Sequence, residues 1–428
     1  MKKYFLIGTV FLLLIFSGCQ KYTRLTVWSF NDELAQMIDG KEDGREDVLT
    51  HYTLSFPDVK IDYSITPVNQ FQNRLDPVLT SGRGAPDIFA LDSAFVRKYV
   101  ESGFLLDLTD IYTRNKDKLL AYPVQVGSFE DKVYAMSWQT NPGAMFYRRS
   151  LARRYFGTDN PQIIQTYFTD FVRFLNSARL IKTRSNGTCV VAASYKDFQI
   201  PFFSARQNPW IVNGSLRIDP ILDYYFNFAK ELYENRWEGR VDPHTEGWLA
   251  GIKGELKDEN GRPVEVFAYF LSMEGFRNIL MEYAGNTEGD WAMIQGPAGW
   301  YQGGSWIAAW KGTKSPEAAK HIIEWIAADD EFLKVWALET GKLVSNLTAV
   351  NNVIDSFENS FLGGQNHYAD FAEMAKTVNG RLAQSYDDEI QATYMEAVNA
   401  FVKGEKSKQQ AIEDFKAQIL AKFEEISD

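Results

Sequence analysis

From Arg24 onward, short β-branched runs alternate with segments of helical length, and this alternation most limits what the chain can fold into. Arg24–Phe30 (RLTVWSF) predicts a strand that ends in the polar pair Asn31-Asp32. Asp32–Thr53 is charged and predicts helix, interrupted between Gly40 and Gly44. Val59–Ile65 alternates as a second strand, and Asn69–Ser81 predicts a helix disturbed by Pro77. Pro86 then opens a short buried strand, Asp87–Leu91, which ends at Asp92-Ser93. Ser93 is placed to cap a helix over Ala94–Ser102, and Gly103 to stop it. Strands alternating with helices at these lengths predict an α/β protein with a parallel sheet. Ligands bind such sheets at the carboxyl ends of the strands, where Phe30-Asn31 and Asp92-Ser93 both fall.

Further along, Lys132–Trp138 predicts a strand, Gln139–Gly143 a break, and Ala144–Tyr147 a resumption. Long helices are expected over Pro161–Leu180, Pro220–Trp237 and Glu274–Ala284. The stripe Tyr167, Phe168, Phe171, Phe174 and Leu175 has the spacing of a buried helical face. Trp291–Gln295 and Trp306–Trp310 predict strands on either side of a Gly-Pro turn and of Gly303-Gly304. Ser315, Pro316 and Glu317 suit a helix start, with the helix running to about Ala328. Helices over Asp387–Val402 and Lys408–Glu425 close the chain. At 428 residues the chain exceeds one ordinary core, so two domains are expected.

The first residues set an expected location. Lys2 and Lys3 precede an apolar run from Tyr4 to Phe16, then Ser17, Gly18 and Cys19. This is the pattern of a secretory signal over residues 1–18, too short for a comfortable membrane span. Phe16-Ser17-Gly18-Cys19 resembles a bacterial lipobox with Phe in place of Leu, which implies cleavage before Cys19 and acylation of that cysteine. The acyl chains would suffice for stable anchoring of an exported body at a membrane surface. An ordinary signal or an uncleaved anchor is the alternative.

Net charge is −11, with no basic patch to neutralise phosphates, so nucleic acid is not an expected partner. With Cys19 acylated, Cys189 stands alone and no intrachain disulfide is expected. The four histidines are scattered, and no zinc, calcium or nucleotide-loop motif is present, so neither metal nor cofactor is expected. The eleven tryptophans are unusual because several stand beside Gly, Pro, Asn or Ser rather than within apolar runs.

The order of these elements resembles the extracellular solute-binding proteins of ABC sugar importers, family 1, the maltose-binding-protein-like group. Four blocks carry the resemblance: APDIFALDSAFVRKYVESGFLLDL up to Asp107, YAMSWQTNPGAMFYRRSLARRYFG from Tyr134, GGSWIAAWKGTKSPEAAKHIIEWI from Gly303, and GKLVSN from Gly341. They occur in the family's order. Asn260–Phe276 departs from the family pattern, keeping only a strand, which leaves open whether Met273, Glu274 or Gly275 faces the ligand.

The resemblance implies two α/β lobes of the type II periplasmic-binding-protein fold, joined by about three crossovers, with the ligand in the cleft between them. Residues 20–140 and 293–345 would form the first lobe, and 141–292 and 346–428 the second. It implies a non-enzymatic monomer that captures a carbohydrate, meets ABC permease subunits, and sits exported at the periplasmic or outer face of the cytoplasmic membrane through its lipid. A sugar needs flat aromatic faces for its C–H groups and directional polar groups for its hydroxyls. The candidates are Trp28, Asn31, Asp92, Trp138, Asn141, Trp210, Gly304 and Trp306, each near a strand end or loop. Trp28 could equally be hinge core, Asp92 a helix cap, and Asn141 a turn residue. Trp237, Trp325 and Trp336 read as packing residues. A secreted glycosidase would need paired carboxylates roughly 5–10 Å apart, and no such pair stands out. A same-fold binder of iron or a polyamine is a further alternative, as is an adhesive or signalling lipoprotein.

Overall fold

The computed structural model describes residues 22–40 and 52–427, so the signal and Cys19 lie outside the described residues. Nine described strands form the main sheet: β1 (Thr23–Ser29), β2 (Val59–Ile65), β3 (Ile88–Asp92), β4 (Met136–Arg148), β5 (Cys189–Ala192), β6 (Glu265–Ser272), β7 (Trp291–Ile294), β8 (Tyr301–Ala309) and β9 (Leu343–Val344). Their order is β2-β1-β3-β8-β4-β6-β5, with β7 and β9 also paired to β4. β1, β2 and β3 are parallel, and β8 runs antiparallel to β3.

One strand joins two lobes. Residues 136–142 of β4 pair with β8 and β9, whereas residues 143–148 pair with β6 and β7. The expected break at Gln139–Gly143 is therefore corrected: the strand runs straight through Asn141-Pro142-Gly143. Proline fits there because Pro142 lies opposite Tyr301 at a register shift, where the ladder changes partners and its missing N–H is not needed. Gly143 is required by packing. A Cβ at this position would come 2.1 Å from Cε2 of Trp300, and its own N–H donates to the Trp300 carbonyl at 2.8 Å.

Three helix starts differ from expectation. Ser93 does not cap. Asp92 Oδ1 accepts from the Ala94 N–H at 2.9 Å and the helix begins at Val96. Ser315 stands at a helix start without a side-chain cap bond. The helix expected over Pro161–Leu180 is two, Pro161–Gln165 and Phe171–Arg184, because Asp170 starts a new one by accepting from the Arg173 N–H at 2.8 Å. The helical segment from Met273 to Tyr283 contains a π turn over Phe276–Leu280.

Two large apolar clusters fill the interior. One gathers Leu25, Val27, Phe89, Trp138 and Trp306 around β1, β3 and β8; the other gathers Phe174, Phe202, Phe228 and Tyr394 with Trp210. Residues 347–378, expected with the second lobe, join the first of these clusters, which also takes in Phe146, Trp248 and Phe276. Phe371 of this stretch lies 6.2 Å from Phe146 of β4, and Phe361 lies 5.8 Å from Phe276. The helices from Asp387 and Lys408 complete the second cluster. Among the described residues, no helix is long and apolar enough to cross a membrane.

Candidate functional site

The lobes enclose a cleft of two adjoining chambers, about 470 Å³ and about 290 Å³, which share Ser93, Ala94, Ile200, Gln302 and Gly303. Both open at the carboxyl end of β3. The first lobe supplies Asp92 and the residues after it; β8 supplies Gln302 and Gly303. The second lobe supplies Asp197, Trp248, Phe270 and Glu274 to the larger chamber, and Arg206, Asp387 and Asp388 to the smaller.

Carboxylates set the electrostatics. Burial pushes the Asp92 carboxyl above its usual range, against bonds from the Ala94 N–H and Ser93. Glu274 is also raised, first by burial and further by Glu33 and Asp92, while Lys342 and Arg277 oppose the shift. Asp388 is raised by burial and by Asp92. Burial carries Asp197 up to about 7, although Trp248 Nε1 donates to its Oδ1 at 3.0 Å and the Ser194 N–H donates to it as well. Desolvation thus favours the neutral acid at each of these positions. Among the described residues no cluster suits a metal ion.

Of the residues expected to form the site, Asp92 and Asn141 line the larger chamber. Asn141 is fully engaged. Its Nδ2 donates to the Gln302 carbonyl at 2.5 Å and to Glu274 Oε2 at 3.2 Å, and its Oδ1 accepts from the Glu274 N–H at 2.9 Å. It therefore clamps β8 and the Met273 turn to the shared strand and holds Glu274 at the cleft. Gly304 lines a small hinge cavity with Gln139, Glu274 and Lys342, while its neighbour Gly303 reaches both chambers. Gly303 has φ +90, and a Cβ there would come 2.8 Å from Asn141 Nδ2.

The tryptophan candidates need correction. Trp138 and Trp306 are 1% and 0% exposed in the first core, and Trp306 Nε1 donates to the Pro123 carbonyl at 2.9 Å. Trp210 is 0% exposed in the second core, 5.3 Å from Tyr394 and 5.8 Å from Phe415. Their faces are covered by protein, so none lines the cleft. Trp28 lies under the Arg74 guanidinium at 4.0 Å, outside both chambers. Asn31 is exposed, and its Oδ1 accepts from the Glu33 N–H at 3.2 Å at the start of a helix. Trp248 and Trp300 border the larger chamber but are as buried as the others, at 1% and 2% exposed, Trp248 packed 4.9 Å from Tyr269 and 5.2 Å from His244 and Trp300 against Gly143. Both stand beside glycine, in Gly247-Trp248 and Gly299-Trp300, the same signal that singled out other tryptophans. Glu274 and Gly275 do line the larger chamber, and Met273 lines the hinge cavity.

Residues 37–178 match the family model described as bacterial extracellular solute-binding protein. Over that stretch the chain is similar to these solute-binding proteins. It is 21% identical over 346 residues to the arabinooligosaccharide-binding protein of Bacillus subtilis (strain 168), covering 74% of this chain and 72% of that one. A crystal structure of an extracellular solute-binding protein family 1 member has TM-score 0.77 at 18% identity, covering 92% of this chain and 97% of the other. The sugar-binding protein MalE from the phytopathogen Xanthomonas citri has TM-score 0.74 at 14% identity, covering 94% and 98%. The structural likeness establishes the two-lobed solute-binding fold. The proteins it resembles are named as binding proteins.

Proposed function

We propose that this solute-binding protein captures a carbohydrate in its interlobe cleft and delivers it to an ABC permease, while tethered to a membrane through acylated Cys19. The observation that carries the reading is the composition of the larger chamber. Its wall brings together the carboxyl groups of Asp92, Asp197 and Glu274 and the amides of Gln199, Asn278 and Gln302, with Phe270, Trp248 and Trp300 among the apolar lining. That density of directional polar groups suits a solute bearing many hydroxyls. The relatives' names, arabinooligosaccharide-binding and sugar-binding, support it. Asp92, Asn141 and Gly304 remain in the proposed site, with Asn141 acting through Glu274. The sequence patterns at Lys2–Cys19 support export and anchoring.

Thermal shift followed by calorimetry with a panel of arabino-, gluco- and galacto-oligosaccharides tests the reading. A ligand present at 100 times its Kd adds about 2.7 kcal/mol of stability. A panel with no stabilising sugar would defeat it. Lobe closure should also lower the radius of gyration in solution scattering. Cys19→Ser should release the protein from the membrane fraction or block its maturation. A second reading, an amine-bearing solute, is favoured by the carboxyl groups that line the cleft, Asp92, Asp197 and Glu274 in the larger chamber and Asp387 and Asp388 in the smaller. Spermidine in the same panel separates the two.

A further inference from the structure

Arg206 and Asp387 form an ion pair in the wall of the smaller chamber, with side chains only 3% and 15% exposed. They share one bond, Nη2 to Oδ2, at 3.3 Å, which is long for a charge-assisted contact. Arg206 Nε donates to the Phe203 carbonyl at 2.7 Å, and the guanidinium carbon lies 5.0 Å over the Trp210 ring. Arg206 Nη1 and Asp387 Oδ1 are both buried and have no hydrogen-bond partner among the described residues. One donor and one acceptor are therefore left over on two side chains that already touch. Buried polar groups in folded proteins are almost always bonded, and a half-satisfied buried ionic pair is a costly arrangement to keep.

The chamber's other charges limit what can complete the pair. Arg97 is spent on Glu101 and on the carbonyls of Val126 and Ser128, and Lys98 on Asp76. An anionic group would face Asp387 and Asp388. A cationic group would face Arg206. A neutral group with an acceptor beside a donor satisfies both leftover atoms at once.

We propose that Arg206 and Asp387 are a specificity-determining pair for a neutral acceptor-plus-donor group, a carboxamide or two adjacent hydroxyls, on a solute that also occupies the larger chamber. An amide carbonyl, or one hydroxyl oxygen, accepts from Nη1. The amide N–H, or the neighbouring hydroxyl, donates to Oδ1. The five residues shared by the chambers let one solute span both. The inference deepens the cleft reading and rests on it for the identity of the solute, but not for the chemistry of the pair.

The test uses the full chain and two small probes. Crystals are soaked separately with acetamide and with ethylene glycol, in wild type and in Asp387→Asn, which keeps the side-chain shape. Arg206→Lys serves as a second variant, with melting temperature measured for both. We expect one probe to bridge Nη1 and Oδ1 in wild type and to be lost in Asp387→Asn; which probe binds decides between amide and diol. Any oligosaccharide from the panel that binds wild type should bind folded Asp387→Asn at least tenfold more weakly. Absence of both probes from the pair would overturn the proposal. So would a probe held equally by Asp387→Asn, an adventitious additive only. A bridging probe with no panel sugar bound leaves the pair's role standing and removes the carbohydrate reading.

Discussion

The carboxyl ends of β1 and β3 read alike in sequence and face different things. Each strand is short and apolar, and each ends in a polar pair, Asn31-Asp32 after β1 and Asp92-Ser93 after β3. Asp92 lines the larger chamber. Asn31 turns back onto the Glu33 N–H and lines neither chamber. Sheet order makes the difference. β3 pairs with β8, which pairs with the shared strand β4, so its end meets the cleft; β1 lies one strand further out. A strand end comes to line the cleft by standing next to the crossover.

The same lesson covers tryptophan, and it yields the largest expected effect. Trp306 lies on β8 opposite Leu91, with its ring in the first core. Trp306→Ala should cost about 3–5 kcal/mol of stability, as truncating a buried aromatic leaves a cavity and an orphaned Pro123 carbonyl. Urea unfolding measures the loss, and the surviving folded fraction should bind with unchanged affinity. Weaker binding with intact stability would return Trp306 to the cleft and break the distinction.

The next effect separates the two strand ends directly. Asp92→Ala should lower affinity for a bound sugar about tenfold to a hundredfold, since hydrogen bonds to a charged group contribute about 1.5–3 kcal/mol. Calorimetry on Asp92→Ala and Asn31→Ala side by side is the measurement. Equal losses in both variants would mean that sheet position does not decide the role.

Much of the fold was legible because it depends on local pattern. The predicted strand over Val59–Ile65 matches β2, and those over Arg24–Phe30 and Asp87–Leu91 lie within one residue of β1 and β3 at each end. The helices from Pro316, Asp387 and Lys408 begin at the residues predicted. The site was less legible because it depends on which elements meet. Nothing near Asn141 reveals that its amide reaches Gln302 and Glu274, 161 and 133 residues away. Asn-Pro-Gly is a turn signal wherever neighbouring strands do not override it. Here β8 and β6 take over successive parts of one strand. Gly299-Trp300 carried the signal that singled out Trp306, but only the assembled fold shows that Trp300 borders the larger chamber and Trp306 does not.

A pH series sharpens the comparison between the cleft and the second lobe behind it. Burial raises Asp197 to about 7 and Glu238 to about 8, from ordinary values of 3.8 and 4.5. Groups raised in the folded state favour folding while they are protonated. Their contribution is complete below the ordinary range and is lost as pH rises through about 7 and 8. Stability of the unliganded protein should therefore fall between about pH 4 and 8, by at most about 1.4 kcal/mol per pH unit for each group. Glu238→Gln should flatten the upper part of that fall. Its Oε2 accepts from the Arg240 N–H at 2.8 Å while Oε1 has no partner among the described residues, so an amide preserves the bond and removes the titration. An identical slope in wild type and Glu238→Gln would assign the fall to other groups.

The smallest effect belongs to Asn31, and it tests the first comparison from the opposite side. Its Oδ1 sits 3.2 Å from the Glu33 N–H, at the start of the helix Glu33–Asp39. Asp32, formally at the cap position, makes no side-chain cap bond there. Asn31 thus does the work of a cap from one residue further back. Replacing a capping residue with alanine costs about 0.5–2 kcal/mol, and the low end applies to an exposed side chain whose second bond, from Ser29 Oγ, is long at 3.5 Å. Asn31→Ala should therefore lose about 0.5–1 kcal/mol in chemical unfolding. Asn31→Asp should recover most of it, because a carboxylate accepts the same bond and favours the positive end of the helix. Affinity should stay at the wild-type value in both variants. If Asn31→Ala keeps full stability and weakens binding instead, the end of β1 reaches the ligand when the lobes close, and position in the open sheet would no longer predict which strand ends touch it.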